Sequence, residues 1–354
     1  MKRKAYKLVV LFIMLIIIAA AIFQALKSKT DVKDKTYTDN YYEYWKKNFV
    51  EDTAENMSRV VDPQRNNITV SEGMGYGMLF ASAMGDYNLF QKLWNYTEKY
   101  LDDNGLMNWQ IAASGKIIGE GSASDADEDI AYSLLLAAKK WNNSDYDNAA
   151  KAMVEAVKKN DISSEYVLLP GDKWGSNRPF NPSYAAPLYY LDFQKLQGQD
   201  KSFWQKIIKA NMDLLEKNMD KNTGFLPDWI NEDGTIEQKD NIYGYEALRV
   251  PLRLISFYEA SKDSGTKDIL QRQEEFLKSI GIDKLTAEYS RDGKARQNYI
   301  NTSYLASYAA SSLINYEASF SKQLIDKLKA SDDKSYYGSS LKLWTFLIIS
   351  GKIK

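Results

Sequence analysis

The sequence predicts an all-α protein: one large helical domain behind an N-terminal transmembrane helix. Three observations support that class. Apolar residues recur at helical spacing along most of the chain beyond residue 40. Strand-like alternation is confined to short stretches near 105–119 and 225–240. No clear linker separates one group of helices from another, although 354 residues would suffice for two ordinary domains.

From the N-terminus, residues 1–7 (MKRKAYK) form a basic flank with four cationic groups. Residues 8–26 (LVVLFIMLIIIAAAIFQAL) hold one polar residue, Gln24, and are long enough to cross a bilayer. The flank places the N-terminus inside the cell and residues 30 onward outside. Cleavage near the alanines at 19–21 would instead release the domain. With no cysteine in the chain, a lipoprotein anchor is excluded. Residues 27–40 (KSKTDVKDKTYTDN) are polar and read as a linker, which leaves 41–354 as the folded domain.

Helices are expected over 41–60, 72–83, 86–101, 125–141, 146–158, 183–195, 202–219, 243–260, 266–280, 299–316, 320–330 and 340–350. Runs such as DIAYSLLLAAKKW and YLASYAASSLINY carry apolar residues around most of the helix, which implies burial on more than one side. Helical hairpins closed into a ring would supply such two-faced inner helices, with a cleft formed by the loops at one end.

Composition narrows the chemistry. The chain has neither cysteine nor histidine, so thiol nucleophiles, zinc thiolates and serine–histidine triads are excluded. Proton transfer must fall to Asp, Glu, Tyr or Lys. Six basic residues and no acids precede residue 30, leaving 40 basic against 47 acidic residues, a net charge of −7. Such a domain is a poor partner for nucleic acid. Its 25 Tyr and 8 Trp suit stacking on apolar sugar faces, although most of these rings will be core.

Three stretches concentrate carboxylates. In TVSEGMGYGML (69–79), Ser71 is a candidate N-cap and Glu72 opens a helix. An ordinary acid stabilised by the helix dipole would fit there too. The glycines at 73 and 75 weaken a helix start but allow another helix or a ligand to come close. In ASDADEDIAYSLLLAAKKW (123–141), Ser124 and Asp127 have capping-box spacing. Asp125, Asp127 and Asp129 fail as a calcium loop, because Ile130 replaces the turn glycine and Leu136 the bidentate glutamate. A magnesium–diphosphate site fits poorly with a single acidic cluster in an exported domain. Asp125 and Asp127 cannot share a helix face, so one is expected to cap and the other to face the cleft. The third stretch holds Asp228 in PDW and Glu246 in NIYGYEALRVPLRL, with Arg249 one turn on and Pro251 placed to kink or start a helix. The bland reading of Glu246 and Arg249 is an i,i+3 salt bridge. Separated carboxylates, aromatic side chains and an outward-facing domain favour glycoside hydrolysis, for which two carboxyls are enough.

At these residues the chain resembles glycoside hydrolase family 8. SEGMGYGML is similar to the stretch around that family's catalytic glutamate, and ASDADEDIAYSLLLAAKKW to its second signature throughout. GLMNWQ (105–110), FNPSY (180–184) and PDW (227–229) are also family-like, and the likeness spans roughly residues 40–350. It implies an (α/α)6 barrel with an open groove, and hydrolysis with inversion. Glu72 would be the general acid, its pKa lifted by burial or by a neighbour such as Asp125 against the helix dipole. Asp125 would hold the sugar at the point of cleavage, and Trp109 and Tyr184 would stack on it or hydrogen-bond to it. Many members carry the general base as Asp in Tyr-Asp-Ala-x-Arg; here YEALR puts Glu246 in that place, one methylene longer. Asp228 or Asp240 could supply the base instead, or the site could be weakened.

The catalytic set expected is therefore Glu72, Glu246 and Asp125. Trp109, Tyr184, Asp127, Asp228, Tyr245 and Arg249 are expected against substrate, with no metal or cofactor. The resemblance implies a β-1,4-linked polysaccharide cut endo-fashion: a glucan, a xylan, chitosan or an exopolysaccharide. The anchor and the lack of an added binding module resemble the PssZ-like exopolysaccharide hydrolases of the family. That likeness implies an N-acetylmannosamine-rich matrix polymer and association with a synthase. The alternative is a non-hydrolytic polysaccharide-binding partner of such a synthase. Glu246 counts mildly for it, Glu72 and the full second motif against it.

Overall fold

A computed structural model describes residues 34–174 and 179–353. The expected transmembrane helix over 8–26 lies outside the described residues.

Twelve α-helices occur among the described residues. They are α1 over 34–49, α2 (Ser71–Met84), α3 (Tyr87–Lys99), α4 (Ser124–Trp141), α5 (Ser144–Asn160), α6 (Pro187–Phe193), α7 (Lys201–Asn218), α8 (Val250–Ser261), α9 (Ser264–Ile280), α10 (Thr302–Ser312), α11 (Ser319–Ala330) and α12 (Tyr336–Ile349). The even-numbered helices touch one another in the order α2, α4, α6, α8, α10, α12, and α12 returns to α2. That closure makes the inner ring. Helices α3, α5 and α7 pack on α2, α4 and α6, α9 on α8 and α10, and α11 on α10. Helix α1 completes the outer layer: Trp45 meets Phe80 of α2 edge-on at 5.1 Å and donates to Ser340 Oγ of α12 at 2.9 Å.

The sequence explains which helix goes where. In α2, every residue from Gly73 to Ser82 is buried, and α10 and α12 are buried almost throughout. In α3, burial falls on Leu89, Phe90, Leu93, Trp94, Tyr96 and Thr97, one face of an amphipathic helix. From α2 to α9 the caps divide the same way. Asp86, Asn143, Asp200 and Asp263 cap the outer helices α3, α5, α7 and α9 with side-chain oxygens. The inner helices α2, α4, α6 and α8 begin without a side-chain cap; beyond them the pattern reverses, with Asn301 and Ser335 capping inner α10 and α12 and no side-chain cap on outer α11.

Several expectations change. Residues 34–40, read as linker, are helical; Thr38 is buried and donates to Phe346 O at 3.2 Å. The helix expected over 41–60 stops at 49, and an antiparallel hairpin, β1 (Val50–Ala54) with β2 (Met57–Val60), follows. Val50, Thr53 and Val60 are β-branched and favour that outcome. The stretch near 105–119 does form strands, β4 (Gln110–Ile111) and β5 (Ile117–Gly119), beside β3 (Thr69–Val70). Over 225–240 there is only an isolated bridge, Ile230 to Phe180. Strand β6 (Ile242–Tyr243), paired with β7 (Tyr289–Ser290), and a 3-10 turn (Ala247–Arg249) occupy the start of the helix expected at 243. Pro251, in the first turn of α8, starts that helix and does not kink it.

Candidate active site

The starts of the inner helices meet at one end of the ring. Glu72 is the second residue of α2 and Asp125 the second of α4. Glu246 precedes the 3-10 turn that ends at Arg249 and runs into α8. Arg249 binds all three. Its Nη1 lies 2.6 Å from Glu72 Oε2 and 2.6 Å from Asp125 Oδ2, and its Nη2 donates to Glu246 Oε2. Asn181 Nδ2 reaches the same Glu246 oxygen at 2.8 Å, and Tyr336 OH lies 3.2 Å from Glu72 Oε1. Among the described residues, no hydrogen-bond donor holds Glu246 Oε1.

Exposure separates the three carboxylates. The side chain of Glu246 is 35% exposed, that of Glu72 19% and that of Asp125 3%. Burial pushes Glu72 up to about 7; the charges of Asp125 and Glu246 add to that rise, while Arg249 and the Tyr336 hydroxyl oppose it. Burial also raises Asp125, against the pull of Arg249 and Arg253. One guanidinium cannot neutralise three carboxylates in a shielded pocket, so the cluster favours retention of a proton. Hydrogen bonds to both ends of one guanidinium keep Glu72 and Glu246 within about 8 Å, close enough to flank one glycosidic bond.

The glycines after Glu72 serve close approach. A Cβ on Gly73 would stand 2.9 Å from Tyr336 OH, and one on Gly75 2.7 Å from Asp129 Cβ of α4. Beneath the cluster, Arg253 grips both oxygens of buried Asp129, and Tyr189 OH donates to Asp129 Oδ1 at 2.7 Å. The sequence carries one signal for this layer, the spacing of Arg249 and Arg253 by one helical turn.

Aromatic side chains flank the carboxylates. The Arg249 guanidinium lies over the Tyr184 ring, 5.4 Å from its centroid. Trp229 meets Tyr184 at 5.9 Å and Trp174 at 5.9 Å. Trp174, Trp109 and Tyr245 are exposed. Tyr245 is held by Asn301, which donates to its hydroxyl at 2.8 Å, and by Tyr337 OH, which donates to its carbonyl at 2.6 Å.

Other expected residues are placed differently. Ser71 does not cap α2; its N–H donates to Trp109 O at 2.9 Å. The capping box at Ser124 does not form, because Ser124 Oγ donates to Leu169 O. Asp127 faces away from the groove: it is fully buried, and its Oδ1 accepts the Met107 N–H at 3.0 Å. It is a structural group, not a substrate contact. Asp125, Asp127 and Asp129 thus turn to three different partners, unlike a calcium loop. Asp228 is nearly covered and binds backbone N–H groups, and Asp240 interacts with Lys239 and Glu237. Neither shares the Arg249 cluster. Asn181, Tyr336, Trp174 and Trp229 were missed; Asn181 stands in FNPSY and Trp229 in PDW, motifs already noted.

A ring of paired helices with acidic side chains gathered in an aromatic-lined opening defines a carbohydrate-cleaving enzyme that works with carboxyl groups. The chain belongs to glycosyl hydrolases family 8, whose sequence model matches residues 17–351. As a member of that family it is an inverting glycoside hydrolase. It is 33% identical over 326 residues to Endoglucanase A of Acetivibrio thermocellus, covering 88% of this chain and 68% of the relative. Endoglucanase 2 of Ruminiclostridium josui is 32% identical over 323 residues, covering 88% and 70%. The apo structure of the β-1,3-1,4-glucanase from Paenibacillus sp. X4 superposes with a TM-score of 0.84 at 25% identity, covering 91% of this chain and 93% of that one.

Proposed function

We propose that the protein hydrolyses a β-1,4-linked polysaccharide from within the chain, with Glu72 as general acid and Glu246 as general base. The observation that carries this reading is the single guanidinium of Arg249 gathering Glu72, Asp125 and Glu246. Glu72 has the raised pKa an acid needs near neutral pH. Glu246 is the most exposed of the three, and among the described residues no donor holds its Oε1. In the proposed step, Glu246 takes a proton from a water as its oxygen bonds to the anomeric carbon. The glycosidic C–O bond breaks on the opposite face, and Glu72 gives its proton to the departing oxygen. Asp125 orients the sugar ring between them.

β-Glucan is the first substrate class to test, because relatives at 32–33% identity bear the name endoglucanase. The basic flank and apolar run over 1–26 support a catalytic domain held outside the cell. That placement suits an exopolysaccharide and a neighbouring synthase. Protease treatment of intact cells tests it: the domain should be digested without lysis. The activity test compares release of reducing ends by the full chain and by Glu72→Gln on β-1,4-glucan, xylan, chitosan and native matrix polysaccharide. Wild-type release with loss in the variant is the expected result. No release by wild type from any of the four would overturn hydrolysis in favour of polysaccharide binding, and equal release by both proteins would remove Glu72 from the chemistry.

A further inference from the structure

Asp228 binds neither Arg249 nor any of the three clustered carboxylates, yet it contacts the segment that carries one of them. Its Oδ1 accepts the N–H of Gly244 at 3.0 Å and the N–H of Ala247 at 2.8 Å. Those residues bracket Tyr245 and Glu246. The Asp228 backbone is itself fixed, since its N–H donates to Asp240 O at 3.0 Å. Gly244 leaves no space between the turn and this carboxylate: a Cβ there would stand 2.1 Å from Asp228 Oδ2. The next residue, Trp229, belongs to the aromatic wall with Tyr184 and Trp174.

We propose that Asp228 is a positioning residue that holds the Gly244–Ala247 turn, so that Glu246 Oε1 faces the groove, and ties that turn to the aromatic wall through Trp229. The inference rests on the reading of Glu246 as general base. Side-chain bonds from Arg249 and Asn181 fix only Oε2 at the tip of a flexible glutamate. The backbone beneath it needs its own anchor, and two N–H bonds to one carboxylate supply it. Without that acceptor, two buried N–H groups lose their partner and the turn is free to shift. A displacement of about 1 Å at a base costs on the order of 100-fold in rate.

The test uses the full chain and whichever polymer of the four-member panel wild type hydrolyses. Asp228→Ala removes the acceptor, Asp228→Asn keeps an Oδ1 acceptor without the charge, and Gly244→Ala forces the turn off an intact carboxylate. Folding is checked by thermal unfolding. The expected pattern is a loss of kcat of about 100-fold in Asp228→Ala and Gly244→Ala, KM within about threefold of wild type, and recovery to within about tenfold of wild type in Asp228→Asn. Sodium azide, which can attack the anomeric carbon where the base is missing, should restore turnover to Glu246→Ala and not to Asp228→Ala.

Asp228→Asn as inactive as Asp228→Ala, with azide rescuing Asp228→Ala, would make Asp228 the base and overturn the proposal. Unchanged kcat in a folded Asp228→Ala would overturn it too, while leaving hydrolysis intact. If the alanine variants do not fold, Asp228→Asn decides: near-normal turnover supports the anchor and a loss beyond about 100-fold contradicts it. A wild type inactive on all four polymers overturns the proposed function, and this assignment with it.

Discussion

Arg249 Nη1 stands 2.6 Å from Glu72 Oε2, across 177 positions of sequence. The same nitrogen is 2.6 Å from Asp125. Arg249 therefore does two things to Glu72: it orients the carboxyl and pulls its pKa down against burial. Arg249→Met should remove both effects. The alkaline limb of kcat/KM should move to higher pH as the opposing charge is lost, while kcat falls by about 100-fold or more as the carboxylates lose their common anchor. A pH profile of the variant checks this, and an alkaline limb moving to lower pH would contradict it.

Glu72 must be protonated to donate. With its pKa near 7, the wild-type kcat/KM should fall as pH rises through about 7. Glu72→Gln should lose about 10²- to 10⁴-fold on glycans, whose leaving oxygen needs a proton. On a β-glycosyl fluoride, which leaves without one, the variant should keep most of its turnover.

Stability carries the same signature. The folded pKa of Glu72 is raised above its ordinary value of 4.5 to about 7, so the native state binds the proton more tightly than the unfolded chain. Ionisation thus works against folding, starting above pH 4.5 and levelling off above about 7. Glu72→Gln, which mimics the protonated form, should match wild type near pH 4 and exceed it at pH 8 by on the order of 2–3 kcal/mol. Urea unfolding at the two pH values measures the difference, and equal stability at pH 8 would contradict a raised pKa.

The exposed indole of Trp109 stands beside strand β4 at the α2 start, and its backbone carbonyl holds Ser71. Trp109→Ala keeps that backbone bond and removes the ring. Binding should weaken by about tenfold in KM with kcat little changed, the pattern of a lost stacking surface. Initial-rate kinetics on the preferred polymer check the split.

Much of this site could be read in the sequence because its groups lie at helix starts. The beginnings of α2 and α4 were placed within a residue, and Glu72, Asp125 and Glu246 converge as their motifs implied. Helical periodicity also reported which helices are buried on two sides. It could not report long-range partners. Tyr336 reaches Glu72 from 264 positions away, and nothing near either residue announces the contact. Asp127 and Asp228 read as groove residues because they are acids in family-like motifs, yet each gives its Oδ1 to backbone N–H groups. The hairpin over 50–60 is not marked in the sequence for a related reason. Its β-branched residues followed a strong helix without a glycine or proline to mark the break.

In the proposed mechanism Glu246 delivers a water to the face of the sugar opposite the bond that Glu72 protonates. Proton NMR during the first minutes of hydrolysis of a β-linked oligosaccharide reads that geometry directly. The α-anomer should appear first at the new reducing end and then mutarotate. The β-anomer appearing first would mean attack by a protein carboxylate and would contradict the assigned roles.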